Sequence, residues 1–245
     1  MQRVDAMWNA IAYNDNRKFA FRTIHQKWLH PDHYFNTANE LHSYIVRHKI
    51  VDVHVKALDD GGGREWIIDA DYKNWTSDDD LMLKIRIGAT AFLLFFGEHH
   101  VSRVMFSGNR GFHLWLRFTD KFKTTATNSV RTNRFVVFQR PARVDQANVR
   151  AGSFIYAVQR AIQLYKSEVP EKEAQLDMSA LTLLYWPDVD KNIFCNSKTQ
   201  IRAPYSYNYK GVKFSRCITN ELLDKIKEYQ QNVSFADSQL VDDER

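Results

Sequence analysis

Val101–Phe106 and Phe112–Phe118 are two β-prone runs flanking the turn Ser107-Gly108-Asn109-Arg110-Gly111. A glycine at each side of a five-residue polar turn leaves an antiparallel hairpin as the natural conformation. In Gly111–Phe118 the even positions are all apolar, whereas the odd ones hold His113, Trp115 and Arg117. Side chains alternate between faces along a strand, so His113 is expected to point away from the core beneath the hairpin. An apolar run at helical spacing precedes it: Leu81, Met82, Ile85, Ala89, Phe92, Leu93 and Phe96 follow three aspartates at 78–80. Acids at the start of an apolar-periodic run predict a core helix with a favourable N-terminus.

Further signals place the remaining elements. The first fifty residues read as a helical lead-in, with Asn36 or Thr37 capping a helix. Val51–Ala57 and Arg64–Tyr72 flank Asp59-Asp60-Gly61-Gly62-Gly63 and predict another hairpin. Lys121–Arg134 reads as an exposed basic loop, Gln146–Lys166 as a helix, Ser179–Trp186 and Lys198–Ala203 as short strands, and Thr219 as the cap of a last helix. The pattern predicts an α+β fold, with a mixed or antiparallel sheet and flanking helices. The lead-in covers 1–50, a core covers 51–232, and an acidic, disordered tail covers 233–245.

With 44% hydrophobic and 13% aromatic residues the chain can build a packed core, which excludes a disordered protein. The net charge is +5, and Val101–Arg150 contains only Asp120 and Asp145 as acids, so a polyanionic partner suits it. Cys195 and Cys217 are too few for a disulfide framework or a four-cysteine zinc site. The start lacks an apolar signal core, and no run approaches a membrane span, so a soluble protein without membrane partners is expected.

Three groups of residues can carry chemistry. In Glu65–Tyr72, Trp66, Ile68, Ala70 and Tyr72 share one face while Asp69 and Asp71 share the other. Carboxylates two apart on a strand are roughly 7 Å from each other, which suits shared divalent ions, though two solvated acids on an exposed face would look the same. Ser107, Arg110, His113 and the glycine amides, Gly108 among them, offer donors to a triphosphate; a plain tight turn with a surface histidine is the alternative. Arg202, Ser206 and Lys210 can hold phosphates, or can simply form a basic loop after an edge strand. Asp177 is a candidate third carboxylate, with Asp188 and Asp190 as rivals.

In this order the pieces resemble the archaeo-eukaryotic primase superfamily. Trp66-Ile67-Ile68-Asp69-Ala70-Asp71 is similar to its apolar strand ending in Asp-x-Asp, and Ser107–Trp115 to its Ser-Gly-x-Arg-Gly-x-His-x-Trp hairpin. Leu176-Asp177 and Arg202-Ala203-Pro204-Tyr205-Ser206 resemble its later elements. Across nearly the full length the chain also looks like the late expression factor 1 family of baculovirus primase subunits.

The resemblance implies a DNA primase making short RNA primers on single-stranded DNA from nucleoside triphosphates. Asp69, Asp71 and Asp177 would bind two Mg²⁺ or Mn²⁺ ions. Ser107, Arg110 and His113 would hold the incoming phosphates, assisted by Arg202. It implies an accessory subunit, late expression factor 2, contact with a replicative helicase and polymerase, and work in the host nucleus. Asn109 and Asn208 depart from the family pattern, where a second arginine and a histidine are common. The basic residues Lys121, Lys123, Arg131, Arg134, Arg140 and Arg143 are expected to contact the template. A non-catalytic single-strand-binding subunit and a metal nuclease are the competing readings.

Overall fold

The fold is that of a computed structural model that describes residues 1–242, with side chains through residue 232. Its elements are α1 (Gln2–Ala10), β1 (Phe19–Thr23), β2 (Trp28–Leu29), α2 (Ala38–Arg47), β3 (Ile50–Val55), β4 (Ile67–Asp71), α3 (Asp78–Phe96), β5 (Val101–Phe106), β6 (Gly111–Leu116) and α4 (Asn128–Phe135). They continue with α5 (Phe154–Leu164), α6 (Glu171–Ala174), α7 (Met178–Leu184), β7 (Asp188–Val189), α8 (Lys191–Cys195), β8 (Ile201–Arg202), β9 (Tyr207–Asn208), β10 (Lys213–Phe214), β11 (Arg216–Cys217) and α9 (Thr219–Asp242). The fold is α+β, with antiparallel pairing throughout the described residues.

One sheet runs β11-β5-β6-β4-β7 and a second runs β2-β1-β3-β8, while β9 and β10 form a separate ribbon. The larger sheet carries an apolar set on each face. Ile68, Ala70, Val104, Phe112 and Leu114 pack with residues of α3, α5 and α7. Ile67, Met105 and Trp115 instead join Phe19, Phe21, Val53, Val55 and Ile201 of the smaller sheet, with Met7 and Leu41 of α1 and α2. A strand buried on both faces loses the polar face that an exposed antiparallel sheet would show. His113 and Trp115 are therefore buried beside the second apolar cluster and do not face solvent.

Helix α3 starts where the aspartates predict. Ser77 Oγ accepts from the Asp80 amide at 3.1 Å, and the helix is buried on most sides. Gly88 permits its contact with the sheet, because a Cβ there would lie 2.2 Å from Tyr72 Oη.

Several expected elements differ. The first fifty residues contain β1 and β2 as well as helices, and β1 pairs with β3, so the lead-in and the core share a sheet. Phe19-Ala20-Phe21 is too short to reveal a strand without its partners, which come later in the chain. β3 and β4 do not form a hairpin. Asp59–Gly63 closes a local turn through the Leu58–Gly63 bridge, and the chain then crosses into the other sheet.

Ser179–Trp186 is mostly helix α7, launched by the Asp177 cap. A short apolar run does not distinguish strand from helix by periodicity. The basic loop contains α4, which buries Arg131 and Phe135. The 233–245 tail supplies backbone to α9 as far as Asp242, and otherwise lies outside the described residues. Among the described residues no helix is long and apolar enough to cross a membrane.

Candidate active site

β4 lies between β6 and β7, and this register assembles the site. Asp69 stands opposite His113 and Asp71 opposite Gly111. Gly111 has no room for a side chain: a Cβ would fall 2.0 Å from Ala70 O and 2.5 Å from Asp71 Oδ1. On the other edge Asp188 pairs with Asp71, and the Asp190 amide donates to the Asp69 carbonyl at 2.8 Å. Two chain segments, β4 and the β7 edge, thus bring carboxylates together at the end of one strand, and β6 adds the imidazole.

The electrostatics are those of a crowded, partly dry anionic site. Burial pushes the Asp69 carboxyl up to about 7, and the neighbouring Asp71 and Asp190 charges add to this, against the opposing pull of Arg202 and Arg64. Burial likewise pushes His113 down to about 3, helped by the Arg202 charge. The His113 Nε2 to Asp69 Oδ1 separation is 3.6 Å, too long for a hydrogen bond, and the imidazole is neutral near pH 7. This juxtaposition is not an ion pair.

Cations surround the acids. Arg110 Nε donates to Asp71 Oδ2 at 2.7 Å. Gly108 takes the left-handed conformation that turns the chain beneath Arg110, at φ +80°. Ser107 is buried, and its carbonyl accepts from Asn208 Nδ2 at 2.9 Å. Arg202 clasps buried Asp52 in bidentate fashion, with Nε–Oδ1 and Nη2–Oδ2 both 3.0 Å.

Ser206 Oγ donates to Asp52 at 3.2 Å and accepts from the Val53 amide at 2.8 Å, so it braces Asp52. Burial alone would raise the Asp52 carboxyl, but nearby His54 and Arg202 hold it below the usual carboxylate range. Beside Asp71 opens a cleft of about 290 Å³ lined by Lys73, Arg140, Trp186 and Asp188 among others.

The chain is 62% identical over 227 residues to the DNA primase of Autographa californica nuclear polyhedrosis virus, covering 93% of this chain and 84% of that protein. It belongs to the baculovirus DNA primase family. Late expression factor 1 of Orgyia pseudotsugata multicapsid polyhedrosis virus is 51% identical over 228 residues, covering 92% of this chain and 90% of that one. No protein-family model matches the chain. Among solved structures, the polymerase domain of Mycobacterium tuberculosis Ligase D in complex with DNA aligns with a TM-score of 0.48 at 15% identity, over 91% of this chain and 80% of that one.

In this primase-family chain β4 and β6 bring Asp69, Asp71, Arg110 and His113 together, Ser107 and Gly108 lie in the turn that closes the β5–β6 hairpin, and the charge of Arg202 reaches both Asp69 and His113. Asp177 does not join them. Its side chain accepts from the Ala180 amide at 2.8 Å and caps α7, whose buried Leu181 packs with the helices on the opposite face of the sheet. Asp190, left as a rival by the sequence, is the carboxylate beside Asp69. Lys210 is exposed in the β9–β10 turn.

The expected template residues are scattered. Arg131 is fully buried, donates to the carbonyls of Arg64 and Thr124 at 2.6 and 3.1 Å, and stacks on Trp66. It is a structural arginine, not a template contact. Arg134 leans on Trp66 and Phe122, behind the sheet. Lys121, Lys123 and Arg143 are exposed, and Arg140 lines the cleft beside Asp71.

Sequence reading missed Asp52, His54 and Arg64. The alternation Val51-Asp52-Val53-His54-Val55 was the available signal, since an acid in a strand interior requires a buried partner. Among the described residues no three His, Cys, Asp or Glu side chains form a ready-made metal cage. Asp71 is turned toward Arg110, and Asp190 accepts from the Ile193 amide at 2.9 Å.

Proposed function

We propose that this chain synthesises RNA primers on a single-stranded DNA template, by metal-assisted transfer of a nucleotide to a 3′-hydroxyl. The observation that carries the reading is the cross-strand pairing of Asp69 with His113, with Asp71 and Asp190 alongside. A carboxylate lifted to about 7 by burial and like-charged neighbours is stabilised by a divalent cation. Mg²⁺ or Mn²⁺ suits an all-oxygen donor set; Mg²⁺ in particular keeps several positions for water and phosphates, so a few carboxylates suffice without a closed cage. Two such ions, when bound, would stabilise the attacking and leaving oxygens.

The residues of the chain supply the rest. Asp69, Asp71 and Asp190 would orient the ions, the first two from a rigid strand. Arg110 would exchange its contact with Asp71 for the incoming triphosphate. Neutral His113 would donate a hydrogen bond to a phosphate oxygen and hold no proton for transfer. Arg202, kept in place by Asp52, would add positive charge behind the phosphates.

By the family resemblance of its motifs, the chain would work with late expression factor 2 as accessory subunit, in the infected-cell nucleus. The test incubates the pure chain, alone and with that partner, with single-stranded template, labelled ribonucleoside triphosphates and Mg²⁺ or Mn²⁺. Primers should form, and Asp69→Ala with Asp71→Ala should abolish them while template binding persists. Normal primer yield from the double variant would refute the assignment.

A further inference from the structure

The β9–β10 ribbon places aromatic rings on the surface where a core strand would hide them. Val212 is 70% exposed, Phe214 47% and Tyr209 36%. Phe214 pairs across the ribbon with Tyr207, their rings edge to face at 5.1 Å.

Two arginines from distant parts of the chain come to these rings. The Arg3 guanidinium of α1 lies 4.0 Å from the centre of the Phe214 ring, and that of Arg22 in β1 lies 4.1 Å from Tyr209. Among the described residues neither arginine has a carboxylate within ion-pair distance. Exposed Lys210 adds a further cation at the turn.

The ribbon turn is built tightly. Val212 has φ +54°, which is costly for a β-branched residue. It is held there by the Val212 amide bonding to Asn208 O at 2.8 Å, with the Lys210 amide on Asn208 Oδ1 at 3.0 Å. The turn also presses on the Ser107–Gly111 turn, since a Cβ on Gly211 would meet Gly108 O at 1.9 Å. Strand and phosphate groups on the ribbon would therefore lie directly beside the proposed nucleotide clamp.

We infer that the β9–β10 ribbon is a stacking platform for single-stranded nucleic acid, in which Tyr209 and Phe214 stack on bases while Arg3 and Arg22 hold the neighbouring phosphates. Aromatic faces accept any base, and a planar guanidinium laid on a ring keeps its outer donors directed at phosphate. Rings interleaved with cations that have no carboxylate partner complement a strand whose bases stack and whose phosphates carry the opposite charge. The identity of the strand as primer template rests on the proposed function; the binding itself does not.

The test is a fluorescence-anisotropy titration of full-length chain with a labelled thymidine oligonucleotide, free of metal and nucleotide, across a salt series. Tyr209→Ala with Phe214→Ala should weaken binding by about 10-fold or more, with little change in salt dependence. Arg3→Ala with Arg22→Ala should flatten the slope of log affinity against log salt by about 1.4. Tyr209→Phe and Phe214→Trp, which keep the rings, should retain affinity, and thermal melts of all variants should show intact folds.

A folded double ring variant that binds the oligonucleotide as the parent does would overturn the inference, including the case where the face instead docks a protein. Since metal and nucleotide are left out, a failure to make primers would sink the proposed function and leave ring-dependent binding standing. The converse holds equally.

Discussion

Asp69→Asn should stabilise the metal-free protein at pH 8 while destroying its metal response. Folding lifts the Asp69 carboxyl from 3.8 to about 7. The folded state therefore binds this proton more tightly than the unfolded chain does. The resulting stability is fully present below about pH 4 and is lost as pH rises to 7, where the ionised carboxylate is held unfavourably. A rise of that size corresponds to about 4 kcal/mol at most.

The Asp69 side chain is 22% exposed, so water screening reduces the figure to roughly 2 kcal/mol. Asparagine is neutral and nearly isosteric, and it removes this penalty. In a chain of this size about 2 kcal/mol moves the melting temperature by roughly 4–8 °C. The assay is thermal unfolding in EDTA from pH 4 to 8, followed by Mg²⁺ addition. The variant should melt above the parent at pH 8, and the gap should close toward pH 4. Mg²⁺ should raise the melting temperature of the parent alone. A variant that melts below the parent at pH 8 in EDTA, or gains as much from Mg²⁺, would show that Asp69 is not a strained carboxylate awaiting a cation.

Other outcomes follow from the same geometry. Asp190→Asn should abolish primer synthesis, whereas Asp177→Ala should leave it near normal and cost about 1 kcal/mol in chemical denaturation, the value of a lost helix cap; the opposite pattern would restore Asp177 as the ligand. Gly111→Ala should shift Asp71 and lower the primer-synthesis rate on the order of 100-fold in a folded protein, and an unchanged rate would mean that the register has slack. Arg131→Ala should destabilise the fold by on the order of 3 kcal/mol through unpaired carbonyls and a void beneath Trp66. Its single-strand binding should keep the parent's salt slope, and a stable variant with a flattened slope would return Arg131 to the template contacts.

The sequence alone carried what depends on neighbours along the chain. Alternation placed Asp69 with Asp71 and defined the β5–β6 hairpin, and three aspartates before an apolar run marked α3, because strand and helix periodicities are local properties. The chemistry of His113 was legible only through its spacing within a motif.

Tertiary structure decided which strands became neighbours. β7 brought Asp190 to Asp69 and left Asp177 as a cap; β8 brought Arg202 to Asp52; and α4 buried Arg131 under what looked like an exposed basic loop. Burial and charge at a site depend on segments more than a hundred residues apart, as with Asp52 and Arg202, and no periodicity within either segment records the other. The acids and the histidine could be found by reading along the chain, but the environment that shifts their proton affinities exists only once the two sheets have packed.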